Sequence, residues 1–321
     1  MAHPTYVFGS HQIGDLSNED LQAFVDVLNK NNIKNIDTAR IYVNSEKRLG
    51  EIAAAKSFTI DTKAPGFFSG ALTRTSITDG LTESLSLLKT DKVDIYYLHA
   101  PDHDTPIEET VDAIQELHRQ GKFARFGLSN FLPADVRKVH AYAKSKGGVV
   151  PTVYQGNYNA FARSIEKDLF PVLRELGFAF YAYSPLAGGF FAKDPDDLLA
   201  KKATGRFDPS TFGGNMYNEL YSKPGTIEGL RQWKKIAQAA GETSVMLAYR
   251  WAVYHSALDA QKGDAIIIGA SRPAQLQQTI EGLSKGPLAE ETVKEIQELW
   301  KLVEADAPLD NFHSFAIKSI K

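Results

Sequence analysis

Short apolar, β-rich runs recur along the chain, each closed by polar, Gly or Pro residues. They predict eight strands, over residues 5–9, 33–37, 58–63, 93–99, 123–129, 150–155, 178–184 and 265–270. Most are apolar at consecutive positions, as in FTIDT, VDIYYL and AIIIGA. That is the pattern of strands covered on both faces, as in a parallel sheet. Between them apolar residues return every three or four positions. This spacing predicts helices over 18–29, 73–88, 106–120, 133–145, 165–176, 227–240 and 273–283. Ser17 or Asn18 caps the first, and Thr105 with Pro106 opens the one over 106–120.

Strands that alternate with helices over short connections form βα units with right-handed crossovers. Eight such units fit a closed (β/α)8 TIM barrel better than an open doubly wound sheet. An open dinucleotide-binding sheet would carry G-x-G-x-x-G after its first strand, and GSHQIGD does not match. No repeat, low-complexity tract or Gly/Ser linker marks a second domain, so residues 1–321 are read as one barrel domain. Residues 188–226 are read as a long irregular loop, of the kind that serves a lid-like or functional role, and a C-terminal extension follows the last unit.

The formal charge is −3, from 36 Lys and Arg against 39 Asp and Glu. No basic surplus points to nucleic acid or an acidic membrane surface. With no cysteine, disulfide frameworks, zinc ribbons, iron–sulfur clusters and a thiol nucleophile are excluded. The first residues lack the basic and apolar regions of a signal peptide, and no apolar run approaches a bilayer span of about 20 residues. A cytoplasmic location is expected.

In such a barrel the active site lies at the C-terminal ends of the strands. The residues predicted there include Asp37, with Tyr42 in the following loop, Lys63, His99, Ser129, Asn130, Gln155, Tyr183 and Ser184. Taken singly, each has a plain structural reading: a helix cap, an exposed charge, a structural histidine. Taken together, Asp, Tyr, Lys and His converge on one rim. A buried Lys paired with Asp stays charged and would lower the pKa of a nearby phenol. Such a Tyr can exchange a proton near neutral pH, and His99 can orient a carbonyl oxygen.

The segments NIDTARIYVNSEKRLGE, FTIDTKA, VDIYYLHAPD, FARFGLSNF, VVPTVYQGNYNAFAR, FYAYSPLAGG and IIIGASRPAQLQQ resemble the aldo-keto reductases over nearly the full chain. YQGNYNA, YAYSPLAGG and a later GRF look most like the aflatoxin-aldehyde reductase-like branch. The resemblance implies a catalytic tetrad of Asp37, Tyr42, Lys63 and His99, and reduction of an aldehyde or ketone by NADPH. Tyr42 would be the acid, Lys63 held by Asp37 would tune it, and His99 would position the carbonyl. Ser129, Asn130 and Gln155 look like nicotinamide carboxamide contacts, and Tyr183 like the ring beneath the nicotinamide. Ser184, Pro185, Leu186, Gly188 and Gly189 look like the loop that wraps the pyrophosphate. Pyridoxal-type or xenobiotic aldehydes are candidate substrates, and a homodimer a candidate assembly.

The last unit supports an anion site on separate physical grounds. Gly269, Ala270, Ser271 and Arg272 precede a helix with Pro273 at its first position, and helix N-termini and Arg both suit phosphate. Arg272 would favour NADP over NAD, Gln275 and Gln278 could reach the adenosine, and Arg206 could add a second phosphate contact. Relatives commonly carry Asn where this chain has Thr279, one adenine contact fewer. Phe8, Tyr42, Tyr97, Phe131, Tyr158, Tyr217 and Tyr221 are candidates for an apolar pocket wall, most of them serving the core instead. Tyr42, His99, Tyr217 and Tyr221 are the expected substrate contacts. Animal relatives hold carboxylated aldehydes with arginines, for which Lys223 and His313 are the nearest polar substitutes here.

Two other readings compete. His99, Asp102, His103 and Asp104 in HAPDHD could bind a metal, but of eight histidines only His99 falls at a predicted strand end, and no metal is expected. A reductase-like subunit that binds NADP and acts through a protein partner is the alternative function.

Overall fold

A computed structural model describes residues 3–319. Eight strands close into one parallel barrel in chain order: β1 (Thr5–Gly9), β2 (Asn35–Asp37), β3 (Thr59–Lys63), β4 (Val93–Leu98), β5 (Phe123–Ser129), β6 (Pro151–Asn157), β7 (Ala179–Tyr183) and β8 (Ala265–Ile268). β8 returns to pair with β1, which leaves no edge strand. The fold is a (β/α)8 barrel. Its strands lie where the apolar runs predicted them, with ends shifted by one or two residues.

The helices are α1 (Asn18–Lys30), α2 (Ser45–Glu51), α3 (Arg74–Leu88), α4 (Ile107–Arg119), α5 (Pro133–Ser145), α6 (Ile165–Glu175), α7 (Pro195–Leu199), α8 (Phe212–Tyr221), α9 (Pro224–Ala239), α10 (Ser244–Tyr254), α11 (Pro273–Leu283) and α12 (Glu290–Val303). Ser17 caps α1 by accepting from the Asp20 N–H. Pro106 proves to be the residue before α4 rather than its first, and the Thr105 hydroxyl donates to Asp102 instead of capping the helix. Residues 188–226 are not irregular: α7, α8, the start of α9 and short 3₁₀ turns occupy most of the segment. Besides α7 and α8, three further helices among the described residues, α2, α10 and α12, lay outside the predicted set. Of these α10 is buried at every position from Met246 to Val253, so no polar stripe marks its period. No helix among the described residues is long and apolar enough to cross a membrane.

Alternation along the strands splits the core in two. Val7, Ile95, Tyr97, Val153, Tyr181, Ala265 and Ile267 pack together inside the barrel. Their neighbours, such as Phe8, Ile36, Ile60, Tyr96, Leu98 and Phe180, join the larger cluster that meets the helices. Gly127 makes room for the interior ring of Tyr97, which would lie 2.3 Å from any Cβ at that position. The candidate wall residues Phe8, Tyr97, Phe131 and Tyr158 are all buried in these cores.

Asp61 is a polar exception in this interior. Asp61 lies two residues before Lys63 on β3, is fully buried and stands in register with Asp37. Its Oδ1 accepts the Ile95 N–H at 3.1 Å, and its Oδ2 has no partner. Burial, then the charges of Asp37 and Asp94, push this carboxyl well above its usual range, against the opposing pull of Arg125. The folded protein therefore keeps a proton that the unfolded chain releases near pH ~4. Stability contributed by the neutral acid is present below that pH and is lost as pH rises toward the raised folded value. Asp61→Asn keeps the acceptor for Ile95 and cannot ionise. Its melting temperature relative to the parent is expected to climb as pH rises above about 4, the range over which the unfolded chain ionises and the folded one resists. A pH-independent difference between the two melting curves would refute a neutral Asp61.

Candidate active site

Asp37 and Lys63 are the last residues of β2 and β3, and His99 directly follows β4. Tyr42 sits in a turn after β2, its N–H bonded to Ala39 O and its carbonyl accepting from Ser45 N. Lys63 is 0% exposed. Its Nζ donates to Asp37 Oδ1 at 2.7 Å, Asp37 Oδ2 at 2.8 Å and Thr38 O at 2.7 Å. An ammonium has three donors, and these acceptors match them. Nζ also lies 4.9 Å from the centre of the Tyr42 ring. Gln155 Nε2 adds a bond to Asp37 Oδ1 at 2.8 Å. Ser10, Thr38 and Ser45 tie the β2–α2 loop down: Ser10 Oγ donates to Asp37 O, and Ser45 Oγ lies within 2.9 Å of both other hydroxyls.

The charges act on one another. Burial works against the Lys63 ammonium, but Asp37 and Tyr42 outweigh it and hold the amine above its ordinary range. For Tyr42 burial is the largest influence and raises the phenol, while Lys63 lowers it and Asp37 raises it; the net direction is upward. The expected pull of Lys63 on Tyr42 is therefore present but smaller than desolvation. Burial, then Lys63, then His11 hold His99 well below its ordinary value, so it is neutral at pH 7. His99 Nδ1 is buried without a partner, which leaves Nε2 as the ring nitrogen on the cleft side. The His99 and Tyr42 rings stand 6.2 Å apart, nearly perpendicular.

The residues expected at the cofactor gather on the same face. Asn130 has φ +61° and is buried beside Ser129. Its Nδ2 donates to His99 O and Ser129 Oγ, and its Oδ1 accepts from Tyr183 Oη at 2.8 Å. Asn311 N–H reaches the same phenol from the C-terminal segment. Ser184 also adopts positive φ, a costly conformation outside Gly that its surroundings must enforce. Pro185 is buried, with Leu186 partly so. Gly188 and Gly189 have φ of +68° and +99°. A Cβ at Gly188 would lie 2.2 Å from the Tyr217 ring, whereas one at Gly189 would meet open space.

Past β8, Gly269 is exposed and a Cβ there would meet nothing within 4 Å. Ala270 is partly covered, and Ser271 and Arg272 are exposed, with Arg272 directly before α11. Gln275 turns back to accept from Ser271 Oγ at 2.7 Å, Gln278 is exposed and Thr279 is buried. Arg206 lies beside Tyr217 Oη at 3.4 Å and His11 Nδ1 at 3.5 Å, which brings it to the Tyr42 side of the cleft.

Of the expected substrate contacts, Tyr217 packs over Gly188. Tyr221 is not a cleft residue: it is 1% exposed, and its hydroxyl is shared between Asn157 and Asn159. Lys223 Nζ donates to Asp306 O, and His313 pairs with Asp310. Each therefore makes a contact within the chain, while among the described residues His313 Nε2 has no hydrogen-bond partner. Asp102 and Asp104 serve loop bonds to Leu72 N and Ser69 Oγ, and among the described residues no three His, Asp or Glu side chains form a metal cage. Sequence reading passed over His11, Phe67 and Phe312. Phe67 holds φ +69° with its ring edge-on to His99, and Phe312 packs behind it. A histidine in the loop after the first strand was the only available signal for His11.

A barrel with Asp, Lys, Tyr and His converging at its C-terminal mouth is the scaffold of a carbonyl-reducing oxidoreductase. The profile described as "Aldo/keto reductase family" matches residues 5–301, and the chain belongs to that family. It is 42% identical to "Oxidoreductase sirO" of Leptosphaeria maculans over 297 residues, 92% of this chain and 90% of that protein. It is 37% identical to human "Aldo-keto reductase family 7 member A3" over 96% of this chain and 97% of that one. Human "Aflatoxin B1 aldehyde reductase member 4" is 36% identical over the same shares. Within the family the chain falls in the aflatoxin-aldehyde reductase-like branch.

Proposed function

We propose that this protein is an NADP(H)-dependent reductase that converts an aldehyde or ketone to the alcohol, with Tyr42 as general acid. One observation carries the reading: a fully buried Lys63 ammonium, clamped by Asp37, lies against the Tyr42 ring at the barrel mouth. The chain works as one barrel domain, in the cytoplasm, on a small-molecule carbonyl.

The residues present suit the dinucleotide. Gly189 and Gly269 leave open space where a side chain would intrude, and Arg272 is an exposed cation at a helix start. Ser129, Asn130 and Gln155 would hold the carboxamide, and Tyr183 would face the nicotinamide ring. Ser184, Pro185, Leu186, Gly188 and Gly189, with Arg206, would border the phosphates. Gly269, Ala270, Ser271 and Arg272 would take the 2′-phosphate, with Gln275 and Gln278 toward the adenosine. When bound, NADPH supplies a hydride to the carbonyl carbon.

The chain's own groups handle the oxygen. Tyr42 gives its O–H proton to that oxygen as negative charge gathers on it. The phenolate left behind is stabilised by the Lys63 charge, which Asp37 keeps in place in a setting where charge–charge attraction is strong. Neutral His99 donates a hydrogen bond to the carbonyl and fixes its direction. Burial keeps Tyr42 protonated at neutral pH, which suits reduction, and the nearby cation makes the proton easier to release.

Tyr42→Phe is expected to lower kcat by about 10²–10⁴-fold, with NADPH affinity by fluorescence titration unchanged. Lys63→Met should lose turnover likewise, and a Tyr42→Phe enzyme with near-normal turnover would exclude Tyr42 as the acid. Arg272→Ala is expected to weaken NADPH by about 10- to 100-fold more than NADH, since only NADPH offers the extra phosphate. Equal weakening of both would remove Arg272 from that contact. Because Lys223 and His313 are engaged within the chain, an uncharged aldehyde should match or exceed succinic semialdehyde in kcat/KM. A marked preference for the carboxylate would show that an anion subsite exists.

A further inference from the structure

His11 lies between β1 and α1 and belongs to none of the groups assigned above. Its ring packs edge-on against Tyr42, with centroids 4.7 Å apart at 61°, closer than His99 at 6.2 Å. Two imidazoles thus pack on one phenol. They differ in setting, because His99 is buried whereas His11 is exposed at the cleft.

The protonation pattern of His11 follows from its neighbour. Arg206 Nη2 lies 3.5 Å from His11 Nδ1. A guanidinium can only donate, so Nδ1 must carry the lone pair, and the neutral ring then carries its proton on Nε2. Among the described residues Nε2 has no hydrogen-bond partner. The residue keeps surface open to the cleft, yet enough of the ring is packed that desolvation, then Arg206, then Lys63 lower the imidazole to about 4, and the neutral form prevails at pH 7. The result is an imidazole with an N–H donor at Nε2 whose ring packs on that of Tyr42.

We propose that His11 is a specificity-determining residue whose Nε2–H recognises a second acceptor oxygen on the substrate, close to the carbonyl that Tyr42 protonates. The substrate class is a carbonyl compound with an ether or hydroxyl oxygen on a neighbouring position. This rests on reading the cleft as a carbonyl reductase site. Arg206 acts through His11: by occupying Nδ1 it fixes which nitrogen donates.

The test compares kcat/KM for 2-methoxybenzaldehyde and 2-ethylbenzaldehyde, in which a methylene replaces the ether oxygen. The same ratio for the 4-substituted pair serves as control, with the oxygen out of reach. His11→Phe keeps a ring against Tyr42 but has no donor, and should lower the 2-substituted ratio by about 2- to 10-fold, the range of one neutral hydrogen bond. His11→Gln retains an N–H donor and should restore part of that ratio. An unchanged 2-substituted ratio in His11→Phe, or an equal fall in both ratios, would overturn the role of His11. A parent enzyme that reduces none of the four aldehydes would instead overturn the reductase reading, and this inference with it.

Discussion

A buried ammonium dictates the arrangement of the site. Lys63 has no exposure to water, and an isolated charge in that position would cost several kcal/mol. It is retained because a carboxylate and a carbonyl, both at the end of the neighbouring strand, accept its three protons. That pairing requires β2 and β3 to be adjacent and in the register that sets Asp37 opposite Asp61. It also accounts for the neighbours. Tyr42 sees a fixed cation, His99 is kept neutral by burial and the same charge, and Gln155 braces the carboxylate. Asp61, in register with Asp37, is held well above the usual carboxyl range by burial and by Asp37 and Asp94, against the pull of Arg125.

Around this rigid centre the cleft is built by loops held in costly conformations. Asn130, Ser184 and Phe67 all sit at positive φ, and each touches the ring of polar and aromatic groups at the barrel mouth. The segment after β7 arches back over Gly188 through Tyr217 and Arg206 to reach His11. The C-terminal segment closes the other side through Asn311 and Phe312. The strands thus position the groups proposed for chemistry, while the loops decide what approaches them.

Much of this was legible in the sequence because its signals are local. Consecutive apolar residues marked the eight strands, and the residues at their ends identified Asp37, Lys63 and His99. The misread parts have non-local causes. The 188–226 segment looked irregular because α7 is a single short turn and two adjacent glycines open it. Helix α10 gave no stripe because neighbours cover all its faces. Tyr221 looked like a pocket wall, but its hydroxyl is bound between two buried asparagines far from it in sequence.

The sequence alone determined the barrel class and which residue types arrive at the strand ends, since periodicity and punctuation depend only on near neighbours along the chain; the family followed from the resemblance of whole segments to known reductases. Only the tertiary structure decided what those residues do to one another. Whether Tyr42 shifts up or down is a contest between burial and Lys63, and burial depends on packing that no local pattern encodes. The same holds for the neutral Asp61 and for His11, whose neighbours Arg206 and Tyr42 approach from distant parts of the chain. Their charge states and free hydrogen-bonding groups depend on desolvation and on proximity in space, and these exist only once the barrel has closed.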